Sequence, residues 1–423
     1  MTWSSSIQAL FSWRMAGKNV AVAPIQTSQY NCVPQGPDSL HWASTSLIDP
    51  KFGSPPVPMC LRFAPALSFL HQPMTPKFSS RASSPAATSR NFDKELAELE
   101  VLGEAMKAGA ALDAASIAHL RKSLAHRNNF IVSKAAKLIA DAELFALLPE
   151  ALAAYDRFFV DAAKSDPKCW AKEALAKALV KLEHRAKDAY LRGMRHHQME
   201  ASWGPPVDSA GGLRATCAHA LVDCPGLSDA DLLTALLEPL TDTDKTVRIE
   251  GARAIAAVGG VSAALILRLR AMLGPAVEDE AEAEVLGAVY SALLSLEGGR
   301  ALPLVAAALN EGDDLAGEAA FALADMRSAE ALAVLIERLH AGADAWFGSV
   351  LLSAIALTRL PEAFDFLIAM IGRDEREAPA AIEAIGRIAP NAELRARVSQ
   401  TVEEAGSLRL RQAFKQHLPA PPV

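Results

Sequence analysis

Three groupings of side chains in this 423-residue chain have the residue types that hold ions or move protons. The first is His196-His197-x-x-Glu200, where His196 and Glu200 stand one helical turn apart and can face one cation. A metal centre needs further ligands, and no spacing in the chain locates them. The segment therefore reads as a polar helix end, a place where the helix dipole favours His. The second grouping is Cys217-x-His219 with Cys224. On one helix Cys217 and Cys224 share a face but lie about 10 Å apart, too far for a single zinc ion. They read as small buried residues of a packed face. The third is the acidic run from Glu278 to Glu284, whose charge suits the start of a helix. Its functional reading is a docking site for a basic segment, carried by Glu280 and Glu282. A Gly-rich phosphate loop, a Gly-x-Ser-x-Gly elbow and a His-Glu-x-x-His helix are all missing. The expectation is a protein with no catalytic, cofactor-binding or metal-binding residues, not an enzyme.

The elements that position these side chains are helices, almost without interruption from Asn91 onward. The stretch 228–273 shows the pattern most clearly. Ser228 can cap a helix, with Asp231 three positions on, and Leu232, Leu233, Leu236, Leu237 and Leu240 mark one face. Pro239 bends that helix near its end. After the turn Thr241-Asp242-Thr243-Asp244, a second helix carries Val247, Gly251, Ala254, Ile255 and Val258 on its inner face, and Gly259-Gly260 stops it. The same unit recurs, with second helices at 213–222, 247–258, 285–296, 315–326, 349–360 and 379–388. Their final apolar residues are Val222, Val258, Leu296, Met326, Leu360 and Ile388, separated by 36, 38, 30, 34 and 28 positions. First helices follow at 230–240, 263–273, 301–309, 329–339, 363–371 and 393–402. Hairpins of this kind cannot bury their faces singly and must stack. The low aromatic content, 6%, and the wealth of alanine argue against a β-sandwich and for closely approaching helices.

Charge is distributed unevenly. Residues 1–90 carry +5, residues 91–203 carry +1 and residues 204–423 carry −13, which together make the net −7. That balance provides no long-range attraction for nucleic acid, and the lysines at 134, 137, 168, 172, 177 and 181 alternate with acids. Lys172, Glu173 and Lys177 read as a solvated helix face with pairing across one turn. The first 90 residues hold eleven prolines and fifteen serines with no lasting apolar period, as expected of a disordered tail, a targeting segment or an over-extended start. The uncharged runs 254–267 and 345–357 are too short to span a bilayer. Five scattered cysteines form no disulfide framework and suit a reducing, cytoplasmic compartment.

Asp244-Lys245-Thr246-Val247-Arg248, followed by Ala252, Ala254-Ile255 and Gly259, resembles the HEAT-repeat signature. So does the segment from Leu213 to Leu221, in which Arg214 lies 34 residues before Arg248. Asp166-Pro167 ahead of Trp170, Ala174 and Leu175 fits more loosely. The spacing is shorter than a typical unit and closer to the HEAT-like repeats of bacterial proteins, including those related to phycobilisome lyases. The resemblance implies an all-α solenoid of stacked antiparallel helical hairpins, with the Asp and Arg forming a ladder between adjacent repeats. Leu315-Ala316, Phe347-Gly348 and Glu377-Ala378 stand where the Val-Arg pair would be, so the ladder is not expected in the C-terminal half. The chain has no His-Glu dipeptide, unlike the HEAT-repeat di-iron hydroxylases, whose ligands come from repeated pairs of that kind.

The expected organisation is a tail at 1–90, a cap and first hairpins at 91–201, a loop or hinge at 202–212, and repeats with a capping helix at 213–423. The expected function is a scaffold or adaptor that offers its concave face to a protein or peptide, the acidic C-terminal half favouring a basic one. A chromophore-lyase-like or other small-ligand role is the alternative that the resemblance implies. Trp203 and Trp346 are the candidate interface anchors, since Trp is enriched at binding hot spots.

Overall fold

Helix caps written into the sequence set the local structure. In the computed structural model Ser228 accepts a hydrogen bond from the Asp231 N–H at 3.2 Å and donates to its carboxylate at 2.6 Å, closing the start of a helix. Asp113, Asn128, Asp244, Asp313, Ser328, Asp344 and Asn391 cap other helices in the same way. The structure describes residues 85–274, 281–310 and 312–419, all within the unit Ser80–Val423. The expected tail up to residue 84 lies outside the described residues. Its expected end at residue 90 does not coincide with the first helix, whose backbone starts at Pro85.

The described residues are mostly helical, and their only strands are two of two residues each. The helices are α1 (Pro85–Lys107), α2 (Ala114–Leu124), α3 (Asn129–Asp141), α4 (Leu148–Arg157), α5 (Ala162–Ser165), α6 (Trp170–Lys181) and α7 (Lys187–Met194). After the strands β1 (Met199–Glu200) and β2 (Val207–Asp208) come α8 (Gly211–Leu221), α9 (Asp229–Leu240), α10 (Lys245–Val258) and α11 (Gly260–Leu273). The remainder are α12 (Ala281–Glu297), α13 (Leu302–Ala307), α14 (Asp314–Asp325), α15 (Ala329–His340), α16 (Ala345–Leu357), α17 (Pro361–Gly372), α18 (Ala378–Arg387), α19 (Ala392–Ala405) and α20 (Leu408–His417). None is long and apolar enough to cross a membrane.

Alternate helices form a continuous row. α3 packs on α6, α6 on α8, α8 on α10, and the succession runs through α12, α14, α16 and α18 to α20. The intervening helices flank this row, as α9 packs on α10, α15 on α16 and α17 on α18. Alanine makes the row possible, because small side chains let backbones approach closely. In α14, Ala316, Ala319, Ala320, Ala322 and Ala324 are all buried. Gly251 marks one close crossing. A Cβ there would lie 2.7 Å from the Leu240 nitrogen and 2.9 Å from the Pro239 carbonyl carbon, so only glycine admits the contact between α9 and α10.

Two expectations are corrected. Leu232, Leu233, Leu236 and Leu240 of α9 are buried as read, but Leu237 is exposed. The segment 202–212 is not loop throughout: β1 and β2 pair antiparallel, Met199 with Asp208 and Glu200 with Val207, and Gly211-Gly212 already belong to α8. Two-residue strands carry no alternation long enough to be read from sequence.

Candidate functional site

The concentration of buried polar groups lies where the row helices begin, and it starts at Asp166. This carboxylate is fully buried and takes three hydrogen bonds and one ion pair. Ala171 N–H and Asn129 Nδ2 donate to Oδ1 at 2.8 and 2.9 Å. Lys172 N–H donates to Oδ2 at 2.9 Å, and the Lys172 ammonium pairs with it at 3.0 Å. Lys172 is wholly buried, which overturns its reading as a solvated residue. Its Nζ also donates to Gln198 Oε1 at 2.8 Å and to the Phe158 carbonyl at 3.3 Å. Glu173 and Lys177 do pair on the surface at 2.5 Å. Asn129 lies on α3, Asp166 and Lys172 at the start of α6, and Gln198 just before β1, so one ion pair ties three segments together.

The hairpin of β1 and β2 extends the network. Gln198 Nε2 donates to the Asp166 carbonyl at 2.8 Å and to Glu200 Oε1 at 2.5 Å. Glu200 also accepts from Ser209 Oγ and from the Lys168 N–H, each at 2.7 Å. That second bond secures a strained turn, because Lys168 and Cys169 adopt φ of 61° and 56° without being glycine. Asp208 is likewise saturated: Gln198 N–H and Ala210 N–H donate to Oδ1 at 2.9 and 3.0 Å, while His197 Nδ1 and Arg214 Nη1 meet Oδ2 at 2.8 and 2.7 Å. Burial opposes ionisation of Asp208, but these bonds and the Arg214 charge outweigh it and hold the carboxyl far below the usual range.

Arg214, only 1% exposed, joins α8 to the next pair. Its Nε and Nη2 grip Asp242 at 2.7 and 2.9 Å, and Nη1 also reaches the His196 carbonyl at 3.2 Å. Burial raises the Asp242 carboxyl, yet the Arg214 fork and the Asp244 N–H, at 2.8 Å, lower it overall. Asp244 caps α10, and the buried Val247 anchors that helix in the core. Arg248 donates to the carbonyls of Asp242 and Thr243 at 2.9 and 3.0 Å and faces Glu282 of α12 at 3.3 Å. Beyond α12 the carboxylates of Asp313 and Asp344 cap their own helices.

The remaining expected residues are dispersed. Glu282 is buried between Arg248 and Arg270, so its carboxylate is committed within the chain, and Glu280 lies outside the described residues. Trp346 is half-buried and stacked on Phe347 with ring centroids 6.1 Å apart. Trp203 is fully exposed at the tip of the β hairpin. His196 and Glu200 do not share a helix, since α7 ends at Met194 and Glu200 stands on β1. His196 instead packs edge-on against Phe159, and burial lowers its pKa. No group of three or more His, Cys, Asp or Glu placed to hold a metal occurs among the described residues. Cys169 and Cys217 are buried free thiols whose pKa burial pushes up to about 12, so they are protonated at neutral pH.

These groups are arranged to bind one another. Asp166, Asp208 and Asp242 spend their lone pairs on protein donors, and the charges alternate from one row helix to the next. A signal for them does exist in the sequence: Asp166 and Lys172, Asp208 and Arg214, and Asp242 and Arg248 are each six positions apart. The HEAT-like motif brings Asp166, Arg214, Asp244, Val247 and Arg248 to notice but passes over Asp208, Asp242 and Gln198, and it leaves Lys172 as a surface residue. Neither a family model nor a curated protein matches the chain.

Proposed function

We propose that this chain is a HEAT-like helical-repeat scaffold, non-enzymatic, that binds a basic protein or peptide along the surface of its row helices. The observation that carries the reading is the unbroken packing of α3, α6, α8, α10, α12, α14, α16, α18 and α20, each on the next. Repeats in which each unit contacts mainly its neighbours create long binding surfaces. The polar ladder from Asp166 to Glu282 supports it, because its ion pairs fix the stacking of successive hairpins. The charge of −13 over residues 204–423 favours a basic partner. A reducing compartment such as the cytoplasm fits the free thiols of Cys169, Cys217 and Cys224. The test is affinity purification of the full chain from its own cells, followed by elution with rising salt. Basic partners released between about 0.1 and 0.5 M salt support the reading, since screening weakens such contacts. Partners that are uniformly acidic, or indifferent to salt, overturn it.

A further inference from the structure

Helix α11 carries two charged residues, Arg268 and Arg270, each paired with a glutamate of α12, and a long apolar face that is not buried. Val261, Leu265, Leu269, Met272 and Leu273 are 78%, 60%, 61%, 68% and 68% exposed. At about 100° per residue these five fall within roughly a third of the helix circumference, over about 18 Å of its length. The only other exposed side chain on α11 is Ser262, and Arg268, which borders the face and is 30% exposed, is already paired with Glu297 of α12. The other flanking helices differ: α9 exposes Asp229, Asp231 and Glu238, α17 exposes Glu362 and Asp365, and α19 exposes Glu393, Arg397, Glu403 and Glu404. A surface helix normally keeps its outer face polar, and a helix that is apolar all round belongs in an interior. Contiguous patches of this kind mark sites of association.

We infer that the outward face of α11 is the contact through which two copies of this chain dimerise. An antiparallel two-fold pairing about residue 267 sets Leu265 against Leu269 of the partner subunit, and Val261 against Leu273 of the partner subunit. An apolar face whose one bordering charge is already paired within its own chain is compatible with itself under that symmetry, whereas a face bearing unpaired charges of one sign is not. Five such side chains remove on the order of 500 Å² per copy from water, about 1,000 Å² in all, which reaches the lower bound of a specific interface. This surface lies on a flanking helix and is separate from the row surface proposed for partner binding.

The experiment is light scattering on the full chain after size exclusion, at concentrations up to tens of micromolar, with circular dichroism on each sample. The chain is expected at twice its 44.9 kDa mass. The double variant Leu265→Glu with Leu269→Glu is expected at the single mass with unchanged helical signal. Mixing it with the variant Leu265→Lys and Leu269→Lys restores the doubled mass, because opposite charges then meet across the axis. A native chain that stays at the single mass overturns the inference. So does a Glu variant that remains doubled or loses its helical signal, the latter meaning that another part of the same chain covers the face. A mixture that does not recover assigns the face to a different partner and overturns it as well.

Discussion

The guanidinium of Arg214 on α8 grips the carboxylate of Asp242, in the turn before α10, through two hydrogen bonds of 2.7 and 2.9 Å. Its third nitrogen reaches Asp208 at 2.7 Å, so one buried side chain connects the β hairpin, α8 and the following helical pair. Planar, bidentate recognition of this type is what Arg does and Lys does not. Arg214 thereby ties α8 to the turn before α10 at the point where the chain passes from balanced to acidic charge.

Removing that side chain leaves two partly buried carboxylates short of their cation. Arg214→Ala is expected to destabilise the chain by about 3–5 kcal/mol. Arg214→Lys is expected to recover less than half of the loss, because an ammonium cannot serve Asp208 and Asp242 together. Denaturant unfolding followed by circular dichroism checks both; a loss below about 1 kcal/mol for the Ala variant contradicts the role.

The acid branch of the stability curve has a definite sign. Asp208 and Asp242 have folded pKa values depressed below their unfolded values, so their contribution is complete above about pH 4 and is lost as pH falls further. His196 is held neutral by burial, and its contribution begins to fade below about pH 6.5. Two-stage loss of thermal stability is expected on acidification. Asp242→Asn flattens the lower stage and His196→Gln the upper; profiles parallel to the native one contradict the assignment.

Gly251→Val places a branched side chain against the backbone of Pro239 and Leu240. Separation of α9 from α10 is expected, at a cost of about 1–3 kcal/mol or more. Ala320, fully buried in the row, gives a second probe: Ala320→Trp overpacks α14 by a similar amount. An unchanged melting temperature in either variant contradicts the packing described.

Ala389 is exposed and follows α18 with φ of 49°, a left-handed position that costs alanine and not glycine. Ala389→Gly is expected to stabilise the chain by about 0.5–1 kcal/mol. A fall in melting temperature contradicts this, since no packed side chain is lost.

Much of the helical order is legible because it rests on local signals. The expected helix at 213–222 is α8, that at 230–240 is α9, capped by Ser228 as read, and that at 247–258 is α10, stopped at Gly259 as read. The polar ladder is less legible because pairs six residues apart, such as Asp166 with Lys172 and Asp208 with Arg214, are completed by partners 26 or more residues away. Lys172 resembles any surface lysine until Asp166, reaching it across a left-handed turn, and Gln198, 26 residues on, enclose it. Glu282 reads as one acid in an acidic run until Arg248 and Arg270 converge on it from two other helices. The hairpin at 199–208 depends on the fixed positions of Asp208 and Glu200 and not on any alternation of its own.

A double-mutant cycle on Arg214 and Asp242 tests most directly whether buried ion pairs hold the successive hairpins together. Arg214→Met, Asp242→Asn and the double variant are each unfolded by denaturant and compared with the native chain. The expected coupling is about 1.5–3 kcal/mol, the range for hydrogen bonds to charged groups. Additive losses, with coupling within about 0.5 kcal/mol of zero, contradict the account.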